Sequence, residues 1–199
     1  VTFTELCKRV RKHIGQDHRY AHCVRVARMA ENLARIHRAE PAKARLAGML
    51  HDLARLYSNE RLLEESERRG LPVSAFERAH PIVLHAPLSA ALARADFGVN
   101  DPEVLSAIVK HTLAAGEMST LDCVVYLADG LEPGRDYAER AELADLAGRD
   151  LAGAMRATIS SSLRYLRSKH LPLAPQTAAA MHTFGVETGI TEAATGGHS

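Results

Sequence analysis

Pro41-Ala42-Lys43-Ala44-Arg45-Leu46-Ala47-Gly48-Met49-Leu50-His51-Asp52-Leu53-Ala54-Arg55-Leu56-Tyr57 is an apolar helical pattern with a polar pair set into it. Leu46, Met49, Leu50, Leu53 and Leu56 recur at the spacing of one helix face, so the pattern predicts a helix over residues 41–57 with Pro41 in its first turn. His51 and Asp52 flank that face, where an unpartnered polar group costs about 2–7 kcal/mol. A metal ion satisfies a neutral imidazole and a carboxylate together. Taken alone, the pair reads more simply as two polar residues on a solvated helix edge. The rest of the chain decides between the two readings. Gly48, in the middle of this run, reads as a point of close approach by another helix or a ligand, since an interior glycine weakens a helix by about 0.5–1 kcal/mol.

Upstream, the pattern predicts a helix over residues 5–14 capped by Thr4 and ended by Gly15, then a second over residues 17–38. In the second, His22, Val26, Met29, Leu33 and Ile36 form one row, which turns His22 inward with the core. Downstream, residues 59–70 read as a charged, solvated helix stopped at Gly70. Residues 71–84, with Pro72 and Pro81, read as irregular, and His80 within them as surface. His85 opens a helix over residues 86–97. Asp101-Pro102 is a cap followed by a first-turn proline, and His111 shares the inward face of that helix with Val104 and Ile108. Ser119 starts a helix along which Val125, Asp129 and Glu132 follow at helical spacing, and Glu132-Pro133-Gly134-Arg135 is a Pro-Gly turn. A long helical region over residues 139–169 breaks near residues 148–153. Residues 171–177 form a proline-punctuated link to a last short helix, and residues 185–199 read as a disordered tail. The expected fold is therefore all-α and compact. Residues 1–184 form its single domain, with a core over about 17–133 and C-terminal helices over about 136–184.

Composition narrows the partners. Lys and Arg number 25 against 24 Asp and Glu, with no basic block, which argues against a nucleic-acid surface. No run reaches the roughly 18–20 apolar residues of a membrane span, and the charged stretch over residues 1–15 does not read as a signal peptide. Three widely spaced cysteines, Cys7, Cys23 and Cys123, fit neither a disulfide framework nor a zinc ribbon, and the expected compartment is the cytoplasm. Tyr20, Tyr126, Met29, Met49 and Met118 read as packing residues.

Eleven histidines are the unusual feature. His22, His51, Asp52, His85, His111 and Asp129 come from five helices, and all but His85 project from inward faces. Each has a bland explanation alone, but five buried polar positions with no partner except one another do not arise independently. Six such donors exceed one tetrahedral zinc and suit two octahedral ions sharing a carboxylate. With no cysteine in the set, iron is the expected metal, and manganese, magnesium or cobalt the alternatives.

The order His…His-Asp…Asp resembles the HD-domain metallophosphohydrolases, an all-α family, and the two additional histidines resemble its dinuclear members. More narrowly, Arg19-Tyr20-Ala21-His22, Met49-Leu50-His51-Asp52-Leu53-Ala54-Arg55, Leu84-His85-Ala86-Pro87, Lys110-His111-Thr112, Tyr126-Leu127-Ala128-Asp129 and Glu132-Pro133-Gly134-Arg135-Asp136 resemble the YqeK-type bacterial symmetrical bis(nucleosyl)-tetraphosphatases. The chain departs from that pattern at Leu113-Ala114-Ala115, where a Thr-Gly-Arg-like run is usual. It also departs at Arg55 for lysine, at Ala86 for glycine, and at Met181-His182-Thr183-Phe184 for an Arg-Asn finish.

The resemblance implies hydrolysis of diadenosine tetraphosphate or a related dinucleoside tetraphosphate at its centre, releasing ADP- or GDP-type products. Two metal ions can hold a hydroxide at neutral pH and clamp the phosphate oxygens during in-line attack. Asp52 is the expected bridging ligand, with His22, His51, His85, His111 and Asp129 completing the shells, and Asp52, His51 and Arg135 as the catalytic residues. Charge spreads over the phosphoryl oxygens in the transition state, which calls for cations outside the metal shell. Arg19, Arg55 and Arg135 fill that role by position, and His85, His111 and Thr112 are expected to border the phosphates. Leu173, Pro175 and Thr177 of the link are expected to close over a nucleotide base. A homodimer is compatible with this reading. Two other readings remain. One is a dinuclear HD phosphohydrolase acting on guanosine polyphosphates or a cyclic dinucleotide, although the Gly-Tyr-Pro signature of the cyclic dinucleotide class is missing. The other is a non-catalytic nucleotide-sensing module.

Overall fold

In the computed structural model, which describes residues 2–187, eleven α-helices and a 3-10 turn follow one another, with no strand among the described residues. They are α1 (Phe3–Ile14), α2 (Asp17–Ile36), α3 (Pro41–Leu50), α4 (Asn59–Arg68), α5 (Ala75–Ala79), the 3-10 turn (Pro81–Leu84), α6 (His85–Phe97), α7 (Pro102–Lys110), α8 (Thr120–Leu131), α9 (Arg140–Ala147), α10 (Leu151–Ser168) and α11 (Pro175–Thr183). None of these helices is long and apolar enough to cross a membrane. Positions 188–199, most of the expected tail, lie outside the described residues. Val186, at its start, is buried and donates its N–H to the Met181 carbonyl.

Local chemistry explains most boundaries. Asp101 accepts the N–H groups of Glu103 and Val104 ahead of Pro102, and Ser119 forms a reciprocal capping box with Asp122. Two expectations shift. The cap of α1 is Thr2, not Thr4, because Glu5 stands three residues after Thr2 and closes the box with it. Residues 71–84 are not irregular: Ser74 and Glu77 form another box that starts α5, and the 3-10 turn follows.

The largest correction falls on residues 41–57. The helix ends at Leu50, and residues 51–56 run as tight turns closed by N–H bonds to carbonyls three residues back. A regular helix would give the Gly48 carbonyl to the N–H of Asp52. Here the His51 ring takes it, with Nδ1 2.7 Å from that oxygen. Main-chain groups that the turn leaves without helical partners are met by side chains: the Ala54 N–H donates to Ser89 Oγ at 3.0 Å, and His13 Nε2 lies 3.0 Å from the Leu53 carbonyl. Leu53 stays buried, whereas Leu56 is turned out.

Helices α2, α3, α7 and α8 pack on one another, α6 lies against α7, α1 against α2 and α3, and α9 to α11 build on the α8 side. Gly48 is where α3 meets α2: a Cβ there would lie 2.8 Å from Ala27 Cα. Met49, Leu50, Ile108, Leu127, Leu131 and Met155 lie within one continuous core, each fully buried side chain contributing about 1.5–3 kcal/mol. The polar constellation sits within that bundle, where only cross-partnered groups are tolerated.

Candidate metal centre

All six expected ligands converge. Asp52, 3% exposed, stands at the centre and turns its two oxygens in different directions. Oδ2 lies 3.6 Å from His22 Nε2 and 3.4 Å from His51 Nε2; Oδ1 lies 3.4 Å from His85 Nε2 and 3.8 Å from His111 Nε2. Asp129, from α8, joins the first group, its Oδ1 3.0 Å from His22 Nε2 and 3.6 Å from His51 Nε2. His85, expected at the margin, is buried at 5% exposure like the others.

Three of the rings are aimed by one device. Nδ1 of His51, His85 and His111 donates to the carbonyl three residues back, that of Gly48, Ile82 and Ile108, at 2.7, 2.5 and 2.7 Å. A carbonyl only accepts, so Nδ1 carries the hydrogen and Nε2 faces inward. His22 Nδ1 instead donates to Glu132 Oε1 at 3.0 Å. Four Nε2 atoms therefore crowd together, His22 and His51 at 3.2 Å, His85 and His111 at 3.1 Å, with carboxylate oxygens around them. Facing lone pairs at such distances repel unless a cation lies among them. The donor set, imidazole and carboxylate without thiolate, fits metal ions on this ground, and two overlapping triplets, His22-His51-Asp129 and His51-Asp52-His111, have the spacing to hold one.

The electrostatics point the same way. Burial would raise the pKa of Asp52, but His51 beside it holds the carboxyl well below the usual range. Asp129 is likewise held down against burial, by the His22 and His51 rings that face its carboxylate. Burial opposes charge on His51, yet Asp52 and Asp129 outweigh it and keep that imidazole's pKa well above its ordinary value. A positive charge, proton or metal, is drawn to that point. On the other side of Asp52, burial pushes His85 down, and burial with the nearby His51 and His85 pushes His111 to about 3, so both remain neutral donors.

A cavity of about 300 Å³ opens onto this cluster, lined by Arg19, Arg55, Ile82, Val83, Thr112 and Arg135 together with Asp52, His85 and Asp129. Arg19 Nη1 lies 2.8 Å from Asp52 Oδ2, and Arg135 Nη2 lies 2.6 Å from Asp129 Oδ1. The Arg55 guanidinium makes neither hydrogen bond nor ion pair among the described residues. Thr112 Oγ1 sits 3.1 Å from His85 Nε2 and 3.0 Å from His111 Nε2. Leu173, Pro175 and Thr177 do not line this cavity. Thr177 is 9% exposed and its hydroxyl donates to the Leu113 carbonyl at 2.8 Å, so it secures α11 to the segment after His111. The residues missed from sequence are Glu132 and Arg25, which back His22. Arg25 lies three positions after His22 and Glu132 three after Asp129, spacings that set them beside ligands without marking them as partners.

The HD domain profile matches residues 19–134, which include every one of the six converging side chains. The chain is 34% identical over 161 residues to the symmetrical bis(5'-nucleosyl)-tetraphosphatase of Bacillus subtilis, covering 81% of this chain and 86% of that one. It is 32% identical over 170 residues to the protein of the same name from Halalkalibacterium halodurans, covering 85% and 90%. A crystal structure titled a predicted HD superfamily hydrolase involved in NAD metabolism, from Clostridium acetobutylicum, superposes with a TM-score of 0.88 at 28% identity, covering 92% of this chain and 97% of that one. The chain belongs to the HD-domain family and, within it, to the family of the bacterial symmetrical bis(5'-nucleosyl)-tetraphosphatases.

Proposed function

We propose that the chain hydrolyses diadenosine tetraphosphate and related dinucleoside tetraphosphates symmetrically, consuming one water and releasing two nucleoside diphosphates. The observation that carries this reading is the placement of Asp52, whose two oxygens face two separate pairs of imidazoles. His22, His51, Asp129 and Asp52 Oδ2 would hold one ion, and His85, His111 and Asp52 Oδ1 the other. Iron is the proposed metal, with manganese, magnesium or cobalt as alternatives. Two such ions, when bound, supply a nucleophilic water at neutral pH and neutralise charge on the phosphoryl group under attack.

The chain's own residues do the rest. His51, His85 and His111 are held by main-chain carbonyls, His22 by Glu132, Asp52 by Arg19 and Asp129 by Arg135, so little reorganisation accompanies the reaction. Arg19 and Arg135 flank the cluster from opposite carboxylates, and Arg55, which has no hydrogen-bond or ion-pair partner among the described residues, stands in the cavity wall. Together they place positive charge on more than one side of a polyphosphate, as a central cut requires. Thr112 Oγ1 has one proton for two Nε2 acceptors and borders the cavity, where it would orient a phosphate oxygen or a water. A cavity of about 300 Å³, lined by these arginines and Thr112, would receive phosphates of the substrate. Relatives carry this activity in their names, and the three free cysteines accord with a cytoplasmic setting.

The test is anaerobic purification, metal analysis and chromatography of products from diadenosine tetraphosphate, beside Asp52→Ala. Two metals per chain and ADP as sole nucleotide product, lost in the variant, is the expected result. AMP with ATP would place the attack off centre and refute the symmetrical reading.

A further inference from the structure

Behind His22, on the side away from the cluster, lies a second polar assembly. His22 Nδ1 donates to Glu132 Oε1 at 3.0 Å, and Glu132 is 1% exposed. The same carboxylate accepts the Gly134 N–H at 2.6 Å on Oε2, and Arg25 Nε and Nη2 at 2.5 and 3.1 Å on its two oxygens. Arg25 reaches it from α2 one turn beyond His22, and Glu132 itself ends α8. Gly134 leaves the guanidinium its space: a Cβ there would lie 2.6 Å from both Arg25 Cζ and Nε. The other three rings of the cluster rest on main-chain carbonyls. His22 alone rests on a charge.

We infer that Glu132, clamped by Arg25 and Gly134, is a positioning residue that fixes His22 in the Nδ1–H tautomer and strengthens its Nε2 as a donor to the ion shared with His51 and Asp129. The inference rests on the metal-centre reading above. A carboxylate behind a ligating imidazole raises its basicity and locks its orientation, and losing such a partner typically lowers metal affinity about 10–100-fold. The two ion positions thereby become unequal. The one with four side-chain donors and a charged brace is the tighter, and the one formed by His85, His111 and Asp52 Oδ1 is the weaker. The turn after α8 then serves both sides of the centre, since Arg135 from the same turn holds Asp129.

The test is titration of the chelator-stripped full chain with Mn²⁺ by calorimetry, for wild type, Glu132→Ala, Glu132→Gln and Gly134→Ala, with thermal melts alongside. Glu132→Ala is expected to weaken one class of site by about 10–100-fold and leave the other within about threefold. Glu132→Gln keeps an acceptor for Nδ1–H and loses the charge, so its deficit is smaller but lies in the same class. Gly134→Ala displaces Arg25 and shares that direction. Should Glu132→Ala fail to fold, Glu132→Gln decides: an unchanged affinity overturns the inference, and a selective loss supports it. Equal weakening of both classes in Glu132→Gln, together with a lowered melting temperature, marks a merely structural role and also overturns it. A wild type that binds no Mn²⁺ refutes the metal-centre reading and this inference with it. Two bound Mn²⁺ with insensitive variants refutes the inference alone.

Discussion

Gly48→Ala tests whether helix packing and site geometry are one thing. In an exposed helix the change is stabilising by about 1 kcal/mol, because alanine is the better helix former. At this position a Cβ would lie 2.8 Å from Ala27 Cα, 3.0 Å from Ala27 N and 3.2 Å from the Val26 carbonyl carbon. All three are main-chain atoms of α2, so no side-chain rotation relieves the contact. Carbon atoms rest at roughly 3.5–4.0 Å, and α2 and α3 must therefore separate by about 0.7–1.2 Å. Overpacking of this kind costs about 1–3 kcal/mol, and after the propensity gain the net destabilisation is about 0–2 kcal/mol. The displacement also carries the Gly48 carbonyl, which holds His51 Nδ1 at 2.7 Å. A shift near 1 Å in a reacting group is enough for a loss on the order of 100-fold in rate. Urea unfolding and steady-state hydrolysis of diadenosine tetraphosphate on one preparation measure both effects. The control is Gly130→Ala in α8, where a Cβ would meet only Thr158 Cγ2 at an ordinary 3.9 Å and stability should hold or rise. A Gly48→Ala chain as stable and as active as wild type would refute the reasoning.

Arg55→Ala should lower kcat/KM at least about tenfold, a loss of about 1.4 kcal/mol in transition-state binding. Its urea midpoint should stay within about 0.5 kcal/mol of wild type, since no partner is lost; undiminished kcat/KM would remove Arg55 from the substrate site. Burial pushes the thiols of Cys23 and Cys123 to about 12, whereas Cys7 is half-buried. Iodoacetamide at pH 8 should therefore label Cys7 first, with the other two protected until denaturant is added, and mass spectrometry that finds Cys23 modified equally fast would contradict its burial. Glu132 is held at about 2 against burial, by Arg25 and His22, below the usual 4.5. The unfolded chain then takes up that proton first, so this contribution to stability is present above about pH 4.5 and lost as pH falls towards 2. Arg25→Ala should flatten the loss between pH 5 and pH 3 in urea titrations, and an unchanged slope would show that the ion pair does not set it.

Most helices were legible because apolar spacing and caps agree, as at Asp101-Pro102 and Ser119-Asp122. The misreadings share a cause: a side chain competing with the main chain for a hydrogen bond. Apolar spacing runs on through Leu53 and Leu56, so the pattern favours a helix to residue 57. The ring of His51 takes the carbonyl that the helix needs, and the backbone turns at Leu50. Thr2-Phe3-Thr4-Glu5 offered two caps, and only the glutamate three positions after Thr2 separates them. Residues 71–84 were hidden by two prolines that begin or border short elements instead of abolishing them.

The same competition built the site. His51 and His111 each stand at the end of a helix, and His85 stands where the 3-10 turn passes into α6. Each gives Nδ1–H to the carbonyl three residues back and so has one ring nitrogen left, pointing into the bundle. At His51 and His111 the bond that ends the helix is the bond that aims the ligand. Inward spacing alone revealed which residues gather, because a buried imidazole needs a partner whatever the helix does. It could not reveal that His85 is turned in, nor which oxygen of Asp52 meets which pair, since both follow from where the backbone turns. Glu132 escaped for the complementary reason. Its partner His22 lies 110 positions away, and no local pattern distinguishes a carboxylate that braces a ligand from one that merely ends a helix.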